Sequence, residues 1–303
     1  MIQPNFLKKG DTVGIVSTAR KISLEDIQPA IDLLKSWGLN VIIGKTIGLS
    51  NYQFAGTDEQ RTSDFQNMLD NTTVKAIWCA RGGYGTIRII DSLNFDAFIK
   101  NPKWIIGYSD ITVLHSHLHQ IGVKSIHATM SINVSKNTKI SLKSLKNSLF
   151  GLKIDQNTPF VKNNKLGKVN GILVGGNLSI LYSLLGSKSS IDTTTKILFI
   201  EDLDEYRYHI DRMMIALKRN GYFNNLRGLI VGGMTQMHDN AIPFGKTAEE
   251  IILDVLTEFD FPICFNYPAG HIDDNMALVL GSEIELNVSK KKTQLKFISI
   301  IDE

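Results

Sequence analysis

Four segments of this 303-residue sequence place polar or glycine residues directly behind an apolar run, where open α/β sheets build their sites. In Trp104-Ile105-Ile106-Gly107-Tyr108-Ser109-Asp110-Ile111-Thr112 a serine stands between a strand signal and a helix signal. A serine at such a turn projects its hydroxyl as a nucleophile elbow does, although Ile111 stands where G-x-S-x-G has its second glycine; a plain helix cap at Ser109 or Asp110 is the alternative. In Ala80-Arg81-Gly82-Gly83-Tyr84-Gly85 the glycines follow the apolar run Val74–Cys79. They expose backbone N–H groups that can hold a phosphate or a developing oxyanion, or they serve only as a tight turn of positive φ. Ile200-Glu201-Asp202, with Asp204 and Glu205 behind it, ends another apolar run. A carboxylate there orients a histidine, coordinates a metal, or belongs to a solvated loop. Pro268-Ala269-Gly270-His271-Ile272-Asp273-Asp274 sets a histidine between glycine and acids, as a candidate base or an ordinary surface residue.

Together these segments supply a Ser–acid–His set in the chain order Ser109, Glu201, His271. In such a set the serine attacks a carbonyl, the histidine takes its proton, and the carboxylate holds the histidine tautomer, with Gly82-Gly83 available as oxyanion donors. Metal chemistry has weaker support. His115 and His119 lie four apart on a predicted helix over 112–120, but no glutamate follows His115, so the H-E-x-x-H arrangement is absent. Cys79 and Cys264 each stand alone in an apolar run, which excludes a disulfide framework and a cysteine-based zinc site. The glycine segment lacks a Walker lysine and is not G-x-G-x-x-G. No metal and no cofactor is expected.

The elements that must position these residues can be read from periodicity. Strand signals at Thr12–Ser17, Leu39–Ile43, Val74–Cys79 and Lys103–Ile106 alternate with helices over 23–37, from Thr57, over 86–92 and over 112–120. Thr57-Asp58-Glu59-Gln60 reads as a capping box. Pro29 suits only a first turn, so the first helix is expected to start near Asp26. Wholly apolar strands separated by helices predict a parallel sheet covered on both faces. Residues 135–168 hold eight lysines against the single acid Asp155, and read as a solvated linker with one short helix. We therefore expect a nucleophile-bearing domain over 1–134, the linker over 135–168, and a domain over 169–303 carrying the acid and the histidine. The last contains a helix over 177–185, strands Lys196–Ile200, Leu229–Val231 and Ile263–Phe265, helices over 209–218 and 247–259, and a closing hairpin of Glu283–Val288 with Gln294–Ile298.

Composition limits the function classes. With 43% hydrophobic and 21% charged residues the chain can build a packed core. A net charge of +3 is too weak a field to argue for nucleic acid. No stretch approaches the roughly 18 apolar residues of a membrane span, and the first residues lack a secretory signal pattern, so a cytoplasmic protein without membrane or nucleic-acid partners is expected. A small-anion binding module using Gly82-Gly83, and an RNA-associated protein using the lysines of 136–168, are the non-enzyme alternatives.

At these same residues the sequence resembles the LD-carboxypeptidase family of serine peptidases, which also includes microcin C self-immunity hydrolases. The resemblance runs through Gly10-Asp11-Thr12-Val13-Gly14, Asp58-Glu59-Gln60-Arg61, Cys79-Ala80-Arg81-Gly82-Gly83-Tyr84-Gly85 and Gly107-Tyr108-Ser109-Asp110-Ile111-Thr112. It continues through Gly175-Gly176-Asn177-Leu178, Glu201-Asp202 with Ile210-Asp211-Arg212, and Pro268-Ala269-Gly270-His271. It implies Ser109 as nucleophile, Glu201 as orienting acid, His271 as general base, and an oxyanion hole from the backbone N–H groups of Gly83 and Asp110. It also implies an N-terminal Rossmann- or flavodoxin-like domain, a smaller β-rich α/β second domain, and a homodimer. One departure is His127-Ala128-Thr129-Met130, where His-Gly-Pro-Met is expected. The family reaction is hydrolysis of the amide between the L-centre of a diamino acid and a terminal D-alanine in murein tetrapeptides, during cell-wall recycling. The chain length leaves little room for an extra nucleotide-gripping loop, which disfavours the microcin branch.

Overall fold

The computed structural model describes residues 1–154 and 156–298; Asp155 and residues 299–303 lie outside them. The first half runs β1 (Thr12–Val16), α1 (Leu24–Ser36), β2 (Asn40–Ile43), α2 (Asp58–Asp70), β3 (Val74–Cys79), α3 (Asp96–Lys100), β4 (Trp104–Gly107), α4 (Thr112–Gln120) and β5 (Ser125–His127). The region predicted as one helix over 86–92 is two single turns, Thr86–Arg88 and Ile90–Ser92. Then follow α5 (Lys139–Phe150), β6 (Gln156–Pro159), β7 (Gly167–Asn177), α6 (Leu178–Ser183), β8 (Lys196–Leu203), α7 (Arg207–Arg219), β9 (Gly228–Thr235) and α8 (Ala248–Val255). The chain closes with β10 (Ile263–Cys264), β11 (Leu278–Leu280), β12 (Glu283–Val288) and β13 (Lys292–Phe297).

Two sheets result, in a mixed α/β architecture. The first has the order β11-β5-β4-β3-β1-β2 and is parallel except for β11. The second has the order β10-β9-β8-β7-β12-β13-β6, parallel from β10 to β7 and antiparallel beyond. Strands β3, β4 and β8 are buried along almost their whole length, as expected where helices cover both faces, whereas the edge strand β2 is not. The expected hairpin of β12 and β13 is present, with Ile284 opposite Phe297 and Leu286 opposite Leu295.

Several local expectations are corrected. Helix α1 starts at Leu24, because Ser23 and Asp26 form a capping box there; Pro29 falls in its second turn, where only one backbone bond is forfeited. Strand β8 continues past Ile200 to Leu203, so Glu201 is a strand residue and not part of a solvated loop. The stretch 135–168 is more than a linker. Helix α5 buries Leu145 and Leu149, one turn apart, in the core that also holds Trp37 and Leu7, and β6 edges the second sheet. The second half does not stay with its own sheet either, since β11 pairs with β5 and carries the chain onto the first.

The sheets are fastened where β7 approaches α4. Gly176 has φ +149°, and a Cβ there would lie 2.5 Å from Thr112 Oγ1. The next amide, Asn177 N–H, donates to that same oxygen at 2.9 Å. Gly175 has φ +126°, and its Cβ would fall 1.9 Å from the Phe199 carbonyl oxygen of β8. Backbone cannot yield as a side-chain tip can, so Gly175→Ala is expected to cost at least about 2 kcal/mol and lower the melting temperature by on the order of 5 °C. Thermal unfolding monitored by circular dichroism checks this, and an unchanged transition would contradict the packing at β7–β8.

Candidate active site

Ser109 sits directly after β4 with φ +63°, a left-handed conformation that a non-glycine residue adopts at a cost. The turn is tight. Gly107 admits no side chain, since a Cβ would lie 2.8 Å from Ile111 Cγ1. The cap reading of Ser109 is not what the structure shows, because α4 has Ile111 at its N-cap position with no side-chain cap. The serine hydroxyl instead meets His271 Nε2 at 3.1 Å. Asp110 is buried, and its Oδ2 accepts the Thr86 N–H at 2.9 Å, tying the serine turn to the end of the glycine turn. Burial raises the Asp110 carboxyl above the ordinary carboxylate range, against the opposing bonds from Thr86 and Gly85.

His271 lies on the crossover between β10 and β11. Its Nδ1 meets Glu201 Oε2 at 2.6 Å, and its backbone N–H donates to the same oxygen at 3.1 Å. Gly270 is what lets the loop come so close, as a Cβ there would sit 2.6 Å from Glu201 Oε2, and its φ is +104°. The expected Ser109, Glu201 and His271 are thus brought into one chain of hydrogen bonds. Glu201 is fully buried, while the His271 side chain keeps 15% exposure toward a cleft of about 580 Å³. The cleft is lined by Ser109, Gly82, Gly83 and Asp110 among others, so the two residues expected to supply amide donors line the same cleft as the serine. The Tyr108 ring packs edge-on against His271, with centroids 4.8 Å apart.

The glycine turn has its own support. A Cβ on Gly82 would lie 3.1 Å from Ser109 Cβ. Fully buried Arg61 donates from Nη1 to the carbonyls of Thr18, at 2.6 Å, and Gly85, at 2.9 Å, and pairs with Asp58. Gly85 needs its missing side chain, because a Cβ would stand 2.5 Å from Arg61 Nη1. In His127-Ala128-Thr129-Met130, His127 ends β5 and Met130 lines the cleft; between them Ala128 N–H donates to Gly107 O at 3.0 Å, and Trp78 Nε1 to Thr129 O at 2.7 Å. The departure at Ala128 and Thr129 leaves this segment pinned to the serine strand. His115 makes Nδ1···Ser125 Oγ and Nε2···Gly107 O contacts of 2.8 and 2.9 Å, so its pair with His119 is not free to hold an ion.

Some site residues carried no separate signal in the sequence. Asp202 is buried beside Glu201 and accepts from Asn177 Nδ2, Ser179 N and Leu203 N. Burial first, and the neighbouring Glu201 charge second, raise its carboxyl to about 7. The only hint was its place next to Glu201 at a strand end. Arg20 also lines the cleft, from the turn after β1.

Comparison with known proteins gives the family. Residues 13–128 match the LD-carboxypeptidase N-terminal domain, and residues 170–286 match the LD-carboxypeptidase C-terminal domain. The chain belongs to the LD-carboxypeptidase family. It is therefore a peptidase by descent, with Ser109 in the family's N-terminal domain and Glu201 and His271 in its C-terminal one. A probable murein peptide carboxypeptidase of Bacillus subtilis (strain 168) is 35% identical, over 95% of this chain and 92% of that protein. The crystal structure of muramoyltetrapeptide carboxypeptidase from Oxalobacter formigenes superposes with a TM-score of 0.87 at 26% identity, covering 94% of this chain and 98% of that one. Microcin C7 self-immunity protein MccF of Escherichia coli is 25% identical over 95% of this chain and 94% of its own length.

The pair of Glu201 and His271 also sets a titration. Burial pushes the imidazole down, but the Glu201 charge, its hydrogen bond and the Asp202 charge outweigh burial and hold His271 above 6.5. The stabilisation from this pair is therefore complete below pH 6.5 and is lost as pH rises through the folded value. In Glu201→Gln the raising charge is gone and burial dominates. The His271 ring resonances followed by NMR are expected to titrate above 6.5 in the parent protein and below 6.5 in the variant; equal midpoints would break the assigned coupling.

Proposed function

We propose that this protein is a serine carboxypeptidase that hydrolyses the amide between the L-centre of a diamino acid and a terminal D-alanine in murein tetrapeptides. The observation that carries the reading is the continuous bond chain Glu201–His271–Ser109, at 2.6 and 3.1 Å, opening on a cleft. Relatives named for murein peptide and muramoyltetrapeptide carboxypeptidase activity support the substrate class. The reading carries with it a cytoplasmic homodimer acting in cell-wall recycling, and chemistry that needs no metal.

In this mechanism neutral His271 Nε2 takes the Ser109 proton as Oγ attacks the carbonyl carbon. The N–H groups of Gly83 and Asp110 stabilise the charge gathering on the carbonyl oxygen. The C–N bond then breaks, and the proton on His271 passes to the departing D-alanine amine. Glu201 holds the Nδ1–H tautomer throughout and offsets the imidazolium charge. Water, deprotonated by His271, attacks the acyl ester; the new carboxyl group forms and the proton returns to Ser109 Oγ. A helix N-terminus behind the serine turn favours the same negative charge.

The similarity to the microcin self-immunity protein keeps a second reading, hydrolysis of an aminoacyl-nucleotide amide. Mass spectrometry of murein tri-, tetra- and pentapeptides incubated with the protein separates the two. Loss of one alanine from the tetrapeptide alone is expected, with an aminoacyl sulfamoyl adenosine left intact; the reverse pattern would establish the second reading.

Two variants and a pH profile test the roles. Ser109 Oγ bonds only to His271 among the described residues, so Ser109→Ala should keep the melting temperature while D-alanine release falls on the order of 10⁶-fold. A comparable rate in the folded variant would remove the serine from the mechanism. Glu201→Gln should lower kcat by about 10⁴-fold, as for a triad carboxylate. Because the base must be neutral, kcat/KM should rise with pH through a midpoint above 6.5, the direction in which His271 is shifted. A profile flat from pH 5 to 8 would exclude His271 as the base.

A further inference from the structure

We infer that Arg20 is the residue that recognises the terminal carboxylate of the substrate and so makes this site an exopeptidase. The inference rests on the carboxypeptidase reading above and adds the group that would enforce it.

A peptidase that removes one terminal residue must recognise a free carboxylate beside the scissile bond, and a guanidinium does this with two parallel hydrogen bonds. Apart from His271, the cationic residues lining the cleft are Arg20 and Arg81. Arg81 is engaged, its Nη1 donating to the Lys21 carbonyl at 3.0 Å. The Arg20 guanidinium makes no hydrogen bond or ion pair among the described residues, while its backbone is held on both sides. Its N–H donates to Gly82 O at 3.4 Å, and its carbonyl accepts from Ser17 Oγ at 2.7 Å. The arm of the side chain lies across Gly83, whose absent Cβ would stand 2.5 Å from Arg20 Cδ and 2.7 Å from Nε. A partnerless cation is thus anchored on the glycine turn that abuts the Ser109 side chain.

The acids of the cleft argue for the same placement. Asp204 and Glu205 line it from the second half of the chain and disfavour a carboxylate beside them. A terminal carboxylate entering this cleft is driven to the Arg20 side, with the rest of the peptide extending toward the acids.

The test compares murein tetrapeptide with its C-terminal D-alaninamide analogue, using the full-length protein and Arg20→Ala, Arg20→Lys and Arg81→Ala. Arg20 is exposed, so its truncation does not threaten folding. The parent protein is expected to prefer the free acid by about 10- to 100-fold in kcat/KM, the scale of a charged hydrogen bond. In Arg20→Ala that ratio should fall toward one, mainly through KM for the acid, with Arg20→Lys intermediate and Arg81→Ala close to the parent. A ratio that persists in Arg20→Ala, or collapses only in Arg81→Ala, overturns the assignment to Arg20 while leaving the carboxypeptidase reading intact. Release of no alanine from either peptide by the parent protein overturns that reading itself, and the inference with it.

Discussion

The bond from His271 Nε2 to Ser109 Oγ crosses from one half of the molecule to the other, and the rest of the structure answers to it. Ser109 belongs to the first sheet through β4, and Glu201 to the second through β8, with His271 on the crossover between them. Distances of 3.1 and 2.6 Å tolerate little slippage between sheets, since a hydrogen bond weakens steeply once stretched or bent. The seam is built to match. Gly176 and Asn177 lock onto Thr112 at the foot of the serine helix, and β11 returns from the histidine loop to pair with β5. The same return brings Gly281 N–H to the Leu173 carbonyl of β7, closing the crossover on both sheets.

Precision at the serine also depends on backbone that is expensive to hold. Ser109 at φ +63° persists because the turn is determined from several sides: Gly107 beneath it, Gly82 against its side chain, and Asp110 bonded to Thr86. Arg61 contributes from farther away. Burying a guanidinium is costly unless its donors find acceptors, and two of them fasten the carbonyls on either side of the glycine turn. Asp58 lies within reach of both Arg61 and Arg88, so the start of α2 is part of the same support. The segment Asp58-Glu59-Gln60-Arg61 therefore serves the site without entering the cleft.

How much of this was legible in the sequence follows from where the information is stored. The three side chains of the set each follow an apolar run in the sequence, and such runs are plain to read, so Ser109, Glu201 and His271 could be singled out together. The hairpin of β12 and β13 was legible because period-two alternation is local. What the sequence did not show depends on contacts far along the chain. Strands β5 and β11 are three residues each, too short for periodicity, and acquire strand geometry only by pairing with each other and β4. A short helix was expected in the lysine-rich stretch, but not its packing: Leu145 and Leu149 of α5 are buried in the core, with Leu142 and Phe150 packed against it. The burial and the partners of Asp202 and Arg61 have no local signature in the sequence. Even the side-chain partner of Ser109 lies 162 positions away.

The electrostatics of the site follow from packing two acids side by side on a buried strand. Glu201 and Asp202 are both inaccessible, but they meet different partners, at a point where the β8–β9 register shifts. Asp202 receives three donors, from Asn177, Ser179 and Leu203, and fixes the loop that meets Thr112. Glu201 receives two, both from His271. Its other oxygen, Oε1, has no partner among the described residues, so the imidazole is the chief compensation for a carboxylate buried there. That dependence runs in both directions: the acid needs the ring, and the ring is held above 6.5 against burial by the acid. An imidazole raised in this way is a stronger proton acceptor once neutral, and its charged form is stabilised at the step of the proposed mechanism where Ser109 gives up its proton. The interaction that fixes the tautomer is thus the one that favours proton transfer, and both follow from Gly270 leaving room for the loop to close on β8.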